Sequence, residues 1–160
     1  MSGVSLRTKA IGASAAVALA ISALIVPSEG LSLRTYRDPI GILTYCYGET
    51  AGAVAGRTYT RDQCVSILDA RVKSFEKSVS LCLSDYPSLP TPVQAAVLSI
   101  SYNVGTGTMC KSTMFSKLRA GDILGACGEF PKFTRAGGKE LPGLVKRRAA
   151  ERAVCLKGVH

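Results

Sequence analysis

Seventeen consecutive uncharged residues, Ala10 to Val26, follow Arg7 and Lys9 and stop at Pro27. A run of this length is at the short end of what spans a bilayer as a helix. It holds seven Ala, two Ser and one Gly against seven Ile, Leu or Val. Those seven contribute roughly −2 to −4 kcal/mol to insertion, with Ala near neutral, so insertion is marginal and reversible. Three fates stand open. The run is a cleaved signal peptide, with Ala18-Leu19-Ala20 as a cleavage site, or a permanent anchor, or a temporary anchor that leaves the bilayer and packs on the folded protein. For the last, Gly12, Ala16 and Ala20 make one small-residue helical face, and Val17, Ile21, Leu24 and Ile25 make a bulkier surface able to join a core. The basic residues before the run predict a cytoplasmic N-terminus and an exported remainder.

The remainder has the composition of one compact domain, which places a boundary near residue 28: a segment 1–28 and a domain 29–160. Six cysteines and a single histidine, His160, at the last position leave no clustered ligand set for zinc, so no metal or cofactor is expected. An even count of widely spaced cysteines fits disulfides in an oxidising compartment. The net charge of +9 favours a polyanionic partner. The basic residues are scattered apart from Lys146, Arg147 and Arg148, and no stripe of Lys and Arg interleaved with aromatics marks a nucleic-acid groove.

Directly beyond the apolar run come Glu29-Gly30-Leu31 and then Tyr36-Arg37-Asp38-Pro39-Ile40-Gly41-Ile42-Leu43-Thr44. Residues 33–47 are rich in Tyr, Thr, Ile and Leu and are broken at Asp38-Pro39-Ile40-Gly41, which predicts a β-hairpin. A helix end followed by a hairpin sets Glu29 and Asp38 on opposite walls of one cleft. Two carboxyl groups are the minimum for glycoside hydrolysis: one gives a proton to the leaving oxygen, the other directs water or attacks the sugar. A carboxyl desolvated at the mouth of an apolar helix suits the first role. The hydroxyl of Thr44 suits holding the water. A Glu and an Asp nine residues apart are also common as plain solvated side chains, and spacing alone does not separate the two readings.

The ordered set Glu29, Asp38 and Thr44, opening on Glu-Gly-Leu and followed by Tyr45-Cys46-Tyr47-Gly48, resembles the catalytic motif of the phage lysozymes of glycoside hydrolase family 24. Ala95-Ala96-Val97-Leu98-Ser99 with Tyr102-Asn103-Val104-Gly105, then Ala136-Gly137-Gly138-Lys139 and Gly143-Leu144-Val145-Lys146-Arg147-Arg148 with Glu151 and Cys155, continue the likeness over residues 29–156. The resemblance implies an α+β, mostly α, lysozyme-like fold with one small β-hairpin lobe and an N-terminal apolar helix. It implies a muramidase of bacterial peptidoglycan in which Glu29 is the acid, Asp38 handles water and Thr44 positions it, with inversion at the anomeric carbon. The weakly apolar start joined to such a domain is similar to the signal-anchor-release endolysins. The expected setting is the host inner membrane on its periplasmic side and then the periplasm, as a monomer. Two positions depart from the family: Glu49 stands where relatives often have His, and Phe133 where many have Trp. Tyr36, Tyr45 or Tyr47 are the aromatic candidates for a sugar-binding wall.

Elsewhere, Thr60-x-x-Gln63 resembles a capping box before a long helix over residues 61–83 whose core face is Cys64, Ile67, Leu68, Val72, Phe75 and Val79. Pro92 opens a helix buried through Val93, Ala96, Val97 and Ile100. Short helices are expected near 112–120 and 122–130, and a last one over 142–156 burying Leu144, Val145, Ala149, Val154 and Leu156. Arg147 and Glu151 read as an i,i+4 ion pair of structural rather than catalytic weight. Asn103 and Gln94 are candidate sugar contacts or helix caps. Six cysteines allow 15 pairings; Cys82 with Cys110 brackets the central helix and its loop, and Cys46 with Cys64 and Cys127 with Cys155 then follow. The rivals are a lytic transglycosylase, which needs no water-directing carboxylate, and a non-enzymatic membrane-disrupting or wall-binding protein, which leaves the Glu29, Asp38, Thr44 set without a purpose.

Overall fold

The computed structural model describes residues 15–159. Gly12, the flanking Arg7 and Lys9, and His160 lie outside the described residues. The chain enters as helix α1 (15–28), which turns π-helical over Ala20–Ile25 and closes with Val26–Ser28. Val26 donates to the Ile21 carbonyl, five residues back, whereas Glu29 donates to Ile25 at 2.8 Å in the ordinary α pattern. Pro27 follows the π stretch directly and has no N–H with which to continue an α ladder. Ala16, Val17, Ala20, Leu24 and Ile25 are buried and Ile21 packs against the same core. The bulky surface read from the sequence therefore faces protein. Among the described residues no helix is long and apolar enough to cross a membrane.

After Gly30 the chain forms the expected hairpin, β1 (Ser32–Arg37) antiparallel to β2 (Leu43–Cys46), with Tyr36 opposite Thr44 and Arg37 opposite Leu43. Asp38 makes the turn: its Oδ1 accepts from the N–H groups of Ile40 (3.0 Å) and Ile42 (2.8 Å). Gly41 supplies the positive φ that such a turn requires. Residues 57–59 add to the outer edge of β1, with Thr35 donating to Arg57 and Tyr59 donating to Leu33. Tyr59 also stacks on Tyr45 at 4.8 Å.

Helix α2 (Arg61–Cys82) starts at the expected capping box: Gln63 N–H donates to Thr60 Oγ1, and Thr60 N–H donates to Gln63 Oε1. Helix α3 (Thr91–Val104) is the centre of the molecule, buried at Val93 and continuously from Ala95 to Ser101. It packs against α1, α2 and the last helix. Gly105, at φ +104°, ends α3, and α4 (Thr106–Cys110), α5 (Thr113–Arg119) and α6 (Ile123–Cys127) follow. A second, two-residue ladder joins β3 (Arg135–Ala136) to β4 (Lys139–Glu140). Disulfides join Cys46 to Cys64, Cys82 to Cys110 and Cys127 to Cys155, with Cα separations of 5.0, 5.8 and 5.7 Å.

The last helix, α7 (Pro142–Lys157), does not bury the face expected from its apolar residues. Val145 and Leu156 are exposed, as is Ala149, while Leu144 and Val154 are half-buried. What faces α3 is Arg147, Arg148, Glu151 and Cys155. Hydropathy misassigns this face because these charges neutralise one another.

A smaller ion cluster generates a pH prediction. Glu129 is buried; Lys117 Nζ lies 2.6 Å from Oε1 and Lys132 Nζ 2.7 Å from Oε2. The hydrogen bond from Lys117 and then that from Lys132 hold its carboxyl below the usual range. A depressed carboxylate contributes stability above its unfolded value of about 4.3, and that contribution is lost as pH falls through the lower folded value. Glu129→Gln is expected to destabilise the fold by roughly 1–3 kcal/mol near neutral pH and to flatten the acid limb of stability below about pH 4. Denaturant melts of both proteins from pH 2 to 7 check this; parallel acid limbs would contradict it.

Candidate active site

Glu29 sits where the sequence changes from helix to extended chain, at φ −96°, ψ 136°. The last turn of α1 fixes its backbone, and the side chain is 24% exposed. Its Oε1 accepts a 2.7 Å hydrogen bond from Arg147 Nη1 on α7, 118 residues away. Arg147 is itself 6% exposed, so this guanidinium reaches Glu29 from within the protein. The sequence reading of Arg147 as the partner of Glu151 is half of what it does.

The other half lies beneath. Glu151 has no exposed surface; Arg147 Nε stands 3.4 Å from its Oε1 and Arg148 Nε 2.9 Å from its Oε2. Ser99 of α3 donates to Glu151 Oε1 at 2.6 Å. Burial pushes the Glu151 carboxyl up, against the pull of Arg148, Ser99 and Arg147, and burial likewise lowers Arg148. Arg148 Nη2 donates to Asn103 Oδ1 at 2.6 Å. A chain of contacts thus runs from Asn103 through Arg148, Glu151 and Arg147 to Glu29.

Glu29 opens into a cleft of about 520 Å³ whose walls include Tyr47, Glu49, Arg71, Phe75, Tyr102 and Asn103. Glu49 Oε1 accepts from the N–H groups of Thr50 (2.9 Å) and Ala51 (3.0 Å), and its Oε2 lies 3.6 Å from Arg71 Nε. The Arg71 guanidinium also covers the Phe75 ring at 5.2 Å. Phase-fixing of the aromatics comes from Tyr102, whose hydroxyl donates to the Tyr47 carbonyl at 3.2 Å and whose ring tilts against Phe75 at 5.4 Å. Burial first, then the charges of Glu29 and Glu49, push the Tyr102 hydroxyl up to about 12, so it stays a neutral donor. Gly48, at φ +80°, lets the backbone approach: a Cβ there would stand 3.3 Å from Glu29 Oε2.

The two other candidates lie at the turn end of the hairpin. Asp38 N–H donates to the Ile42 carbonyl and the turn uses only its Oδ1, leaving Oδ2 to other partners. Thr44 is buried and its Oγ1 donates to the same Ile42 carbonyl at 3.1 Å, which leaves the hydroxyl oxygen's lone pairs to accept. Neither residue lines the cleft described above. Asp38 and Thr44 are thus brought together by the turn, and Glu29 is joined to them through Gly30 and β1. Tyr47 reaches the cleft, Tyr45 is taken by Tyr59, and Tyr36 is exposed on the hairpin. Gln94 donates to the Tyr86 carbonyl and is structural. Sequence reasoning missed the Arg147 contact with Glu29; the only signal was a pair of arginines three and four residues before a glutamate on a helix that must pack.

Curated relatives include a SAR-endolysin of Bacteriophage PS119, 34% identical over 96% of this chain and 95% of that protein. The SAR-endolysin of Enterobacteria phage P21 is 35% identical over 96% and 97%. Among solved structures, the active form of the P1 phage endolysin Lyz superposes with a TM-score of 0.79 at 23% identity, covering 91% of this chain and 85% of that one. The secreted inactive form of the same endolysin superposes at 0.54 with 21% identity, covering 69% and 77%. A family model described as phage lysozyme matches residues 27–151, and with that match over most of its length the chain belongs to the phage lysozyme family.

Proposed function

We propose that the protein is an endolysin that hydrolyses the β-1,4 bond between N-acetylmuramic acid and N-acetylglucosamine in peptidoglycan and so lyses the host. In this reading Glu29 gives its proton to the glycosidic oxygen as the bond to the anomeric carbon breaks. A water held by Thr44 attacks that carbon from the opposite face, and Asp38 takes the water's proton. The sugar leaves with inverted configuration. The observation that carries the reading is the seat of Glu29: a carboxyl at the rim of a polar cleft, its Oε1 held by Arg147. Holding one oxygen restricts the side chain's rotation and favours one orientation of the group that must meet the leaving oxygen.

The same geometry supports control by the membrane. The segment 1–28 is the anchor in this reading and 29–160 the lysozyme domain. Val17, Leu24 and Ile25 are buried in the core, a gain of roughly 1.5–3 kcal/mol each. In a bilayer those side chains would face lipid instead, at a roughly −2 to −4 kcal/mol insertion energy. The two burials compete for one surface and are of similar size, which suits a reversible anchor. Arg7 and Lys9 favour the cytoplasmic side by about 2.3 kcal/mol per charge per 100 mV, so loss of the membrane potential releases the segment. While α1 is in lipid, Glu29 sits at the bilayer surface, separated from Arg147 and from the glycan. The closer superposition on the active than on the inactive form of the P1 endolysin supports reading the described arrangement as the released state. The anchor holds no cysteine, so thiol exchange from α1 plays no part in activation.

Glu29→Gln is expected to lower glycan cleavage by at least about a thousandfold, while leaving the melting temperature unchanged or higher. Mass spectrometry of fragments from purified peptidoglycan checks both the residue and the reaction. Reducing N-acetylmuramic ends that vanish in the variant support the proposal; anhydro-muramic ends would make the enzyme a transglycosylase. For the anchor, Ala16 is a poor place for a charge because it is buried in the fold, whereas Ala18 is exposed. Ala18→Lys is expected to weaken insertion by about 2.5–3.5 kcal/mol with little effect on the folded domain. Fractionated cells should show less membrane-bound protein and earlier lysis; unchanged membrane retention would contradict the reversible anchor.

A further inference from the structure

We infer that the cleft beside Glu29 reads the 2-acetamido group of the bound sugar, with Asn103 as the residue that sets this specificity. The inference rests on the muramidase reading above and extends it to a recognition contact. Asn103 carries one acceptor oxygen and two N–H donors. Arg148 is 1% exposed, carries only donors, and gives one of them to Asn103 Oδ1 at 2.6 Å. Only the amide oxygen can receive it, so the orientation of the Asn103 amide is fixed by chemistry. Arg148 is held in turn by Glu151 at 2.9 Å. What Asn103 offers the cleft is therefore its N–H groups, and the matching substrate atom must be an acceptor.

The walls around that donor define the rest of the ligand. The tilted rings of Phe75 and Tyr102 present carbon surface in the same cleft. Glu49 is pinned through Oε1 by two backbone N–H groups and presents Oε2 beside Arg71, which makes it an acceptor. A donor, an apolar face and an acceptor in one cleft complement the carbonyl, the methyl and the N–H of an acetamide. A sugar hydroxyl satisfies the donor and the acceptor but gives the aromatic face nothing to cover. A free amine, charged at neutral pH, loses the Asn103 bond and the methyl contact.

The test compares glycan strands prepared from one peptidoglycan with and without chemical de-N-acetylation, using the wild type and Asn103→Asp. The carboxylate keeps an acceptor for Arg148 while removing the donor. On N-acetylated strands Asn103→Asp should lose about tenfold or more in kcat/KM, mainly through KM. The wild type should lose a similar factor on de-N-acetylated strands. The two losses should not multiply: on de-N-acetylated strands the variant should equal or exceed the wild type. Wild-type rates equal on both strands, which need no variant to fold, would overturn the proposal while leaving the muramidase reading intact. Equal losses by Asn103→Asp on both strands would overturn it as well, by assigning Asn103 to another contact. Cleavage of neither strand by the wild type would instead overturn the muramidase reading on which it stands.

Discussion

The carboxylate of Glu151, fully enclosed between Arg147 and Arg148, is the interaction on which the site depends. Burying a carboxylate is unfavourable unless charges and hydrogen bonds replace the lost water. Here two guanidiniums and the Ser99 hydroxyl do so. That arrangement serves less as a source of stability than as a template. Each arginine is held at its base by Glu151 and has donors left over, and each spends one on the cleft: Arg147 on Glu29, Arg148 on Asn103. Two groups on the cleft wall, from different elements, are thus set by one buried anion on α7.

The second constraint is that α1 is held by the core at one end and by the site at the other. Its apolar face is part of the main core, and its last hydrogen bond places Glu29. The π-wound stretch fits one more residue into the turn than an α-helix would, and so changes the direction in which the helix delivers Glu29. A segment whose burial is nearly balanced between lipid and protein is a sound place to put a functional carboxyl when activity has to wait. Moving the segment moves the carboxyl, and no separate lid is required.

Much of the scaffold was legible because local rules and the fold agree. The Thr60/Gln63 box starts α2 where expected, and Asp38-Pro39-Ile40-Gly41 turns the hairpin with the Asp side chain as its brace. The lysozyme-like, mostly helical class followed from the ordered motifs along the chain. The failures have a common cause. Periodicity ranks faces by hydropathy, so on α7 it chose Val145, Ala149 and Leu156 for the core and passed over Arg147, Arg148 and Glu151. No local rule can see that those three cancel once they meet Ser99 of α3. The contact between Arg147 and Glu29 spans 118 residues and is invisible to any window. Glu49, noted only as a departure from a usual histidine, becomes interpretable once Arg71 is found beside it across the cleft.

The account stands on the claim that α1 must leave the bilayer and join the core before Glu29 meets Arg147. The most direct measurement reconstitutes the full chain in sealed vesicles with an imposed membrane potential and follows peptidoglycan cleavage by the membrane-bound fraction. Collapsing the potential and assaying the released fraction completes the comparison. The account predicts no cleavage above background while the protein is bound, and a full rate per molecule once it is released. Bound protein that cuts glycan as fast as released protein would contradict it.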